Sequence, residues 1–437
     1  MISKIKDFLG FDIKADKYKL SRDPQFGMIA DTKRPDKWVF STCGYCGVGC
    51  GLYIGVKEGR AVYTKGNPKH EVNMGTLCPK GLSEHELVNS PERIPSPMLR
   101  GESGRLEAAT WDETFTKVSS EFKRITREHG SKAIGIISTG QLLTEEFYTL
   151  GKFAQLGLQT NNYDGNTTLC MASAVMGYKQ SLGSDGPVGS YEDFEEANTI
   201  ILIGANIADN HPILKLHIAK NKKMPKIIVI DPRKSKTAQM ADLFIPIRPS
   251  TDLALMNGIS YIILEQGWEN QEYIKNHTNG LGELKKHLND YPPQEVSNIT
   301  GVDVKTLYEL ARLVASSEAT LTAWTMGVNQ SYMGTDTVSS IINMHLLTGQ
   351  IGRPGAGPFS ITGQCNAMGT RETGFTSSLP GYRNYGDEAA LKEYASIVNV
   401  PEAIIPRERG YKYAEIIDAI DRGEIRALWI VATNPLV

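Results

Sequence analysis

Short runs of branched apolar residues recur along the chain, separated by stretches in which apolar residues return every three or four positions. Thr110 and Glu113 form a capping box ahead of Phe115, Val118, Phe122 and Ile125, a spacing that predicts a helix with one apolar face. An apolar strand follows at Ala133–Ser138, and a helix opens at Thr144. The alternation continues with strand Thr199–Ile203, a helix after Pro212, strands Lys226–Ile230 and Phe244–Ile247, and a long apolar helix from Asp252. Strand Ala319–Trp324, a helix around Ser339–Leu347 and strand Ala427–Ala432 complete the series. Strands of this kind between helices predict an α/β fold with mostly parallel sheets covered on both faces.

The edges of the pattern look different. Residues 1–36 read as a polar lead-in, with a short amphipathic helix in MISKIKDFLGFDIKADKYKLSRD. Leu52–Val56 and Ala61–Thr64, joined by Lys-Glu-Gly-Arg, read as a hairpin. SPERIPSPMLRGESG, from Ser90, reads as a boundary, and the segment around Pro292 and Pro293 as a loop. Gly349 to Gly374 is rich in glycine.

Composition narrows the function classes. A length of 437 residues predicts two or three packed units. A net charge of −2 gives no global field for nucleic acid or an anionic membrane. No apolar run approaches the roughly eighteen residues of a membrane span. The N-terminal stretch carries mixed charge and no apolar core, so a cytoplasmic location is expected. In that compartment the six cysteines should be ligands, reactive thiols or buried bystanders rather than a disulfide framework.

Four of them stand as C-x2-C-x3-C-x27-C: Cys43, Cys46, Cys50 and Cys78. Three thiolates on one tight loop and a fourth from a distant turn suit a cubane 4Fe–4S cluster, whose irons each take one thiolate. Zinc is the rival, although zinc sites usually pair two C-x2-C knuckles. Lys80 follows the fourth cysteine, and by position alone it reads as a solvated charge.

Cys170 lies in NTTLCMASAVMGY, where small residues permit close approach of a ligand. By itself it reads as a buried structural thiol rather than as a thiolate ligating a soft-to-borderline metal, which is the rival. Strand Thr199–Ile203 runs into Gly204-Ala205-Asn206, then Asp209 and His211-Pro212 at a helix start, a geometry that aims N–H groups at an anion such as pyrophosphate. The next strand ends in Asp231-Pro232-Arg233; Asp231 suits ribose hydroxyls or a guanine edge, and Arg233 a phosphate. Thr237 and Asp252 lie on later turns of that edge. Without GxGxxG or a Walker A motif, an ordinary nicotinamide or ATP site is not supported, and each turn alone is equally an empty sheet edge. His211, ahead of a proline, reads as a cap or packing residue.

Together these residues resemble the prokaryotic molybdenum oxidoreductases that use a bis(molybdopterin guanine dinucleotide) cofactor. The resemblance runs from about Trp38 to the end. It is carried by Cys43–Cys50 with Cys78-Pro79-Lys80-Gly81, the Cys170 segment, Gly204–Pro212, Asp231-Pro232-Arg233, WTMGVN from Trp324, and HLLTGQIGRPGAGPFSITGQCNAMGTRE from His345. LCMASA around Cys170 and NAMGTRE from Asn366 are most similar to nitrate reductases, and the missing export signal points to their cytoplasmic assimilatory branch. Formate dehydrogenases, the nearest rivals, place histidine where Met171 stands here.

The resemblance implies a small N-terminal iron–sulfur domain and two interleaved Rossmann-like dinucleotide-binding domains. The expected division is a lead-in 1–36, a 4Fe–4S domain 37–93, one α/β domain from 94–160 and 340–437, and a second over 161–339. It also implies that the family's C-terminal β-barrel is absent and that the chain is truncated. Cys170 would bind molybdenum beside four dithiolene sulfurs, Met171 would pack at the substrate mouth, and Arg371 would orient nitrate. Lys80 would lie on the electron path, reversing its reading as a solvated charge. Gln141, Asn206, Asp231, Arg233 and Asp252 match positions that hold the dinucleotide arms, as do Gly204, Asp209, Thr237, Met326 and Gly327; Thr433-Asn434-Pro435 resembles a second such turn. Cys365 has no role by either route and is expected to be a buried free thiol. The implied reaction takes one oxygen atom from nitrate, releases nitrite and returns the oxygen as water with two electrons and two protons. Electrons would come from ferredoxin, flavodoxin or a reductase subunit. A formate dehydrogenase or a non-catalytic iron–sulfur electron-transfer subunit stands as the alternative.

Overall fold

The computed structural model describes residues 19–376 and 378–435; the helix expected at the N-terminus falls largely outside them. Within the lead-in, Leu20–Asp23 and Gly27–Ala30 pair as an antiparallel hairpin instead. Asp23 makes this turn: its carboxylate accepts from the Gln25 and Phe26 N–H groups and from Trp38 Nε1.

The chain folds as two units. The smaller runs up to Tyr45 and resumes over Gly49–Ala108; the larger takes Cys46–Val48 and the chain from Ala109. In the smaller unit the expected hairpin is present as Gly51–Lys57 against Arg60–Gly66, and Lys37–Thr42 adds a third antiparallel strand. Met98–Arg100 and Leu106–Ala108 pair within the segment expected to be an irregular boundary.

The larger unit holds two parallel sheets, as the apolar runs predict. One has the order Leu243–Ile245, Lys226–Ile230, Thr199–Ile203, Thr320–Trp324, Gly357–Ser360. Successive strand residues point to opposite faces, and every residue of Thr199–Ile203 and Thr320–Trp324 is buried, so both faces of the sheet's centre are covered. Ile201, Ile203, Ile228 and Ile230 pack into one core with helices Ala172–Leu182, Asp252–Glu265, Val304–Ser316 and Gly334–Thr348. The second sheet has the order Ala427–Ile430, Ile134–Ser138, Tyr163–Gly165.

Several local expectations change. The segment at Pro292 and Pro293 opens a helix, Pro293–Thr300, because a proline at the first helical position withholds an N–H that has no partner there anyway. The glycine-rich stretch contains strand Gly357–Ser360 and helix Ala367–Thr373. Thr110 and Glu113 do cap helix Trp111–His129, but Ile125 is the residue of its stripe that becomes buried; Phe115 and Val118 are exposed.

A candidate cofactor and anion site at the sheet edge

In the smaller unit, Cys43 and Cys50 are buried and face each other across a backbone bond from the Cys43 N–H to the Cys50 carbonyl, 2.8 Å. Cys78 caps the short helix Pro79–Leu82, and a Cβ on Gly81 of that helix would lie 3.6 Å from Cys43 Sγ. The helix that follows Cys78 therefore packs close to the Cys43 sulfur, although the two segments lie far apart in sequence. The Cys43 thiol donates to Glu84 Oε1 at 3.2 Å; burial pushes it far above the usual thiol range, with the carboxylate adding to the shift. Cys46 falls with the larger unit. Lys80 Nζ lies 4.7 Å above the Tyr45 ring, so the ammonium is held by a cation–π contact rather than solvated alone.

In the larger unit, the carboxyl ends of Thr199–Ile203 and Thr320–Trp324 lie side by side. Their outgoing turns cross at two glycines: a Cβ on Gly204 would meet Gly327 Cα at 2.7 Å, and one on Gly327 would meet Gly204 Cα at 2.5 Å. Gly204 also has φ +52°, where a Cβ is strained. The Thr325 hydroxyl donates to the Gly204 carbonyl at 2.6 Å, and the Gly327 N–H donates to it at 3.2 Å. Met326, between them, puts its sulfur 3.3 Å from Cys170 Sγ.

The turn after Thr199–Ile203 is internally braced. Asn206 donates to Asp209 at 2.9 Å and accepts from Thr237 Oγ1 at 3.0 Å, while Thr237 Oγ1 accepts from the Ala208 N–H. Lys236 pairs with Asp209 at 2.7 Å. Beside it the Arg233 N–H donates to Asp231, and Asp252 opens its helix with a carboxyl pushed up to about 6 by burial and by the neighbouring Asp231 charge. Gly204, Asn206, Asp209, Asp231, Arg233, Thr237 and Asp252 thus share one sheet edge. His211 is buried, its Nε2 2.9 Å from the Thr362 carbonyl oxygen, a packing role as expected.

Gln141 and Asn434 belong to the other sheet. Gln141 follows Ile134–Ser138 and is exposed; Asn434 follows Ala427–Ile430. Asn166 lies with these turns, donating to Thr433 Oγ1 at 3.0 Å, and no motif in the sequence marks it for that place.

Cys170 ends a short 3-10 turn, Asn166–Leu169, and is partly buried. Burial raises its thiol, and the Arg371 guanidinium opposes the shift by favouring the thiolate. Met171 is buried and lines a cavity of about 200 Å³ together with Tyr178, Asp185, Ser360, Met368 and Arg371. Its sulfur is held in place: Asn329 Nδ2 lies 3.6 Å away, and Asn329 Oδ1 accepts from Trp324 Nε1 at 3.0 Å. Arg371 comes from helix Ala367–Thr373, and its Nε stands 3.3 Å from Asp185 Oδ2. Sequence reasoning missed Asp185, which stands in no recognisable motif, and gave no role to Asn329, although it ends the WTMGVN stretch. Cys365 forms no disulfide among the described residues and is only half-buried, less enclosed than expected.

Residues 93–437 match the family described as molybdopterin oxidoreductase, and residues 36–90 its Fe4S4 domain. The chain is 38% identical over its whole length to the periplasmic nitrate reductase of Desulfovibrio desulfuricans, covering 60% of that protein. It is 40% identical over 91% of its length to a nitrate reductase of Symbiobacterium thermophilum, covering 55% of it. It is 35% identical over 92% of its length to the F420-dependent formate dehydrogenase subunit alpha of Methanocaldococcus jannaschii, covering 58%. Among solved structures, the acetylene hydratase of Pelobacter acetylenicus shares the fold: TM-score 0.64, 24% identity, 72% of this chain and 44% of that one. The chain therefore spans little more than half the length of the curated relatives it matches.

The Fe4S4 match decides between cluster and zinc, which the cysteine spacing left open. The larger unit also fits a molybdopterin: a half-buried thiol beside a guanidinium, and a glycine crossing at the sheet edge that leaves room for no side chain. With a molybdopterin and a 4Fe–4S cluster as its cofactors, the chain belongs to the molybdopterin oxidoreductase family.

Proposed function

We propose that this protein reduces nitrate to nitrite in a molybdenum-dependent, two-electron oxygen-atom transfer, with electrons relayed through the 4Fe–4S cluster. The observation that carries this reading is one small cavity lined by Met171 and Arg371, with the Cys170 thiol near enough to feel the guanidinium. When bound, the molybdenum group supplies the two-electron redox chemistry. Cys170 is its protein ligand. Arg371, a permanent charge with a planar fork, draws in and orients the anion. Met171, braced by Asn329, closes the cavity with a soft apolar wall that excludes water from the reacting oxygen.

The remaining assignments belong to the same proposal. Gly204, Asn206, Asp209, Asp231, Arg233, Thr237 and Asp252 hold one guanine dinucleotide arm; Gln141 and Asn434 hold the other. Met326 and Gly327 pack at the pterin. Cys43, Cys46, Cys50 and Cys78 bind the cluster, and Lys80 serves the electron path beside it. The two dinucleotide-binding domains are formed by 94–160 with 340–437 and by 161–339, after a lead-in 1–36 and a cluster domain 37–93. The protein acts in the cytoplasm, in nitrate assimilation, and takes electrons from a ferredoxin, flavodoxin or reductase subunit.

The test is a viologen assay of the full-length protein, with reduced viologen as electron donor for nitrate and other oxyanions and oxidised viologen as electron acceptor for formate. Nitrate should be reduced. Cys170→Ala should abolish that activity while leaving the iron–sulfur absorbance unchanged. Formate oxidation without nitrate reduction would reject the reading, and fractionation that finds the activity in the periplasm would remove its cytoplasmic part.

A further inference from the structure

The cavity beside Cys170 has an unusual electrical balance. Among the described residues that line it, the charged ones are Arg371 and Asp185. Helix Ala172–Leu182 begins just after Met171, and the chain beyond it brings Asp185 back to the same cavity. The two side chains are 15% and 5% exposed, and their charges stand 3.3 Å apart. Yet among the described residues neither Arg371 Nε nor Asp185 Oδ2 finds a hydrogen-bond partner, although both atoms are buried. The pair is a contact of charges in which the donor is not aimed at the acceptor.

Two consequences follow from this geometry. Breaking a buried pair leaves an uncompensated charge, so Asp185 anchors the guanidinium in the cavity wall. The carboxylate also opposes the field of Arg371 at a place where both side chains are largely removed from solvent. A singly charged anion entering there can take the unaligned N–H and share the guanidinium. A doubly charged anion meets the same guanidinium with a fixed negative charge 3.3 Å from it, and no second cation lines the cavity among the described residues.

We propose that Asp185 is a specificity-determining residue of this site: it positions Arg371 and restricts the cavity to small singly charged oxyanions, rejecting dianions such as sulfate and selenate. The proposal deepens the nitrate reading above and rests on it for the identity of the bound anion. Its substance is a counter-charge that trades anion affinity for charge selectivity.

The experiment measures inhibition of viologen-driven nitrate reduction by perchlorate and by sulfate, at constant ionic strength, in the holoenzyme. Wild-type protein should bind perchlorate at least tenfold more tightly than sulfate. In Asp185→Asn the sulfate inhibition constant should fall about tenfold or more, with less than a threefold change for perchlorate. Asp185→Glu should keep the wild-type preference. Equal inhibition by the two anions in the wild-type protein would overturn the proposal even if the Asn variant did not fold. So would an equal change for both anions in Asp185→Asn, or no change in either. A second readout needs no turnover: protection of Cys170 from iodoacetamide by each anion, followed by mass spectrometry, in protein produced without molybdenum. Should the wild type fail to reduce nitrate, the nitrate reading falls. The Cys170 protection ratio still reports whether Asp185 discriminates by charge.

Discussion

At the scale of single residues, burial and neighbouring charge decide what each group of the candidate site can do. Asp252 shows this in a form that stability can read. Its carboxyl is raised to about 6 by burial and by the charge on Asp231, against an ordinary value near 4. The folded chain therefore holds this proton more tightly than the unfolded one. Stability is favoured below about pH 4, falls as pH rises through the window up to 6, and stays lower above it. Asp252→Asn removes the ionisation. In cofactor-free protein it should raise stability at pH 7 by on the order of 2 kcal/mol, with the gap closing below pH 4. Thermal midpoints of both proteins across pH 4 to 8 check this; a gap independent of pH would show that the effect is not electrostatic. The same scale explains why Asp185 carries no signal in the sequence. An aspartate in the run SLGSDGPVGS looks like a turn residue until a helix 186 positions later delivers Arg371 beside it.

At the scale of elements, the site depends on how two adjacent parallel strands leave their sheet. The turns after Thr199–Ile203 and Thr320–Trp324 touch backbone to backbone at Gly204 and Gly327. Gly204→Ala adds a Cβ into that contact and also strains a left-handed backbone, together costing roughly 3 kcal/mol. Gly267→Ala makes a useful control, since Gly267 has φ +67° with nothing within 4 Å of its Cβ. It should lose only the conformational part, about 1 kcal/mol. Chemical denaturation of the two variants measures the difference; equal losses would mean that the crossing tolerates a methyl group. Most strands of this architecture were legible from apolar runs alone, because residues buried on both faces leave no polar alternation to confuse them. Helix Pro293–Thr300 was not legible: two consecutive prolines signal a break, and only the first helical position turns the second into a start.

At the scale of the molecule, the chain forms two units with different cores. The larger rests on an extensive aliphatic core; the smaller holds a three-stranded sheet, two hairpins and short helices, with Phe26, Trp38, Tyr53 and Tyr63 in ring contact. A unit this small draws stability from its cluster. Removing iron from the full-length protein should therefore expose the amides of Lys37–Thr42, Gly51–Lys57 and Arg60–Gly66 to hydrogen exchange by at least tenfold. The amides of Thr199–Ile203 should keep their protection. Uniform loss of protection in both units would show that the cluster supports the whole molecule rather than one part of it. Among the described residues no helix is long and apolar enough to cross a membrane.

From its sequence alone this chain is an α/β protein with an iron–sulfur motif, because a parallel sheet buried on both faces demands apolar runs and a four-iron cluster demands four thiolates. Those needs are local enough to be written in short stretches. Tertiary structure alone brought Asp185 to the cavity that Met171 and Arg371 line, and set Asn329 against the Met171 sulfur. Met171, Asp185, Asn329 and Arg371 come from four separate segments, and no spacing between them carries a signal. It also decided the state of the ionisable groups, since burial of Asp252 and the pairing of Arg371 with Asp185 depend on neighbours that arrive only when the chain has folded.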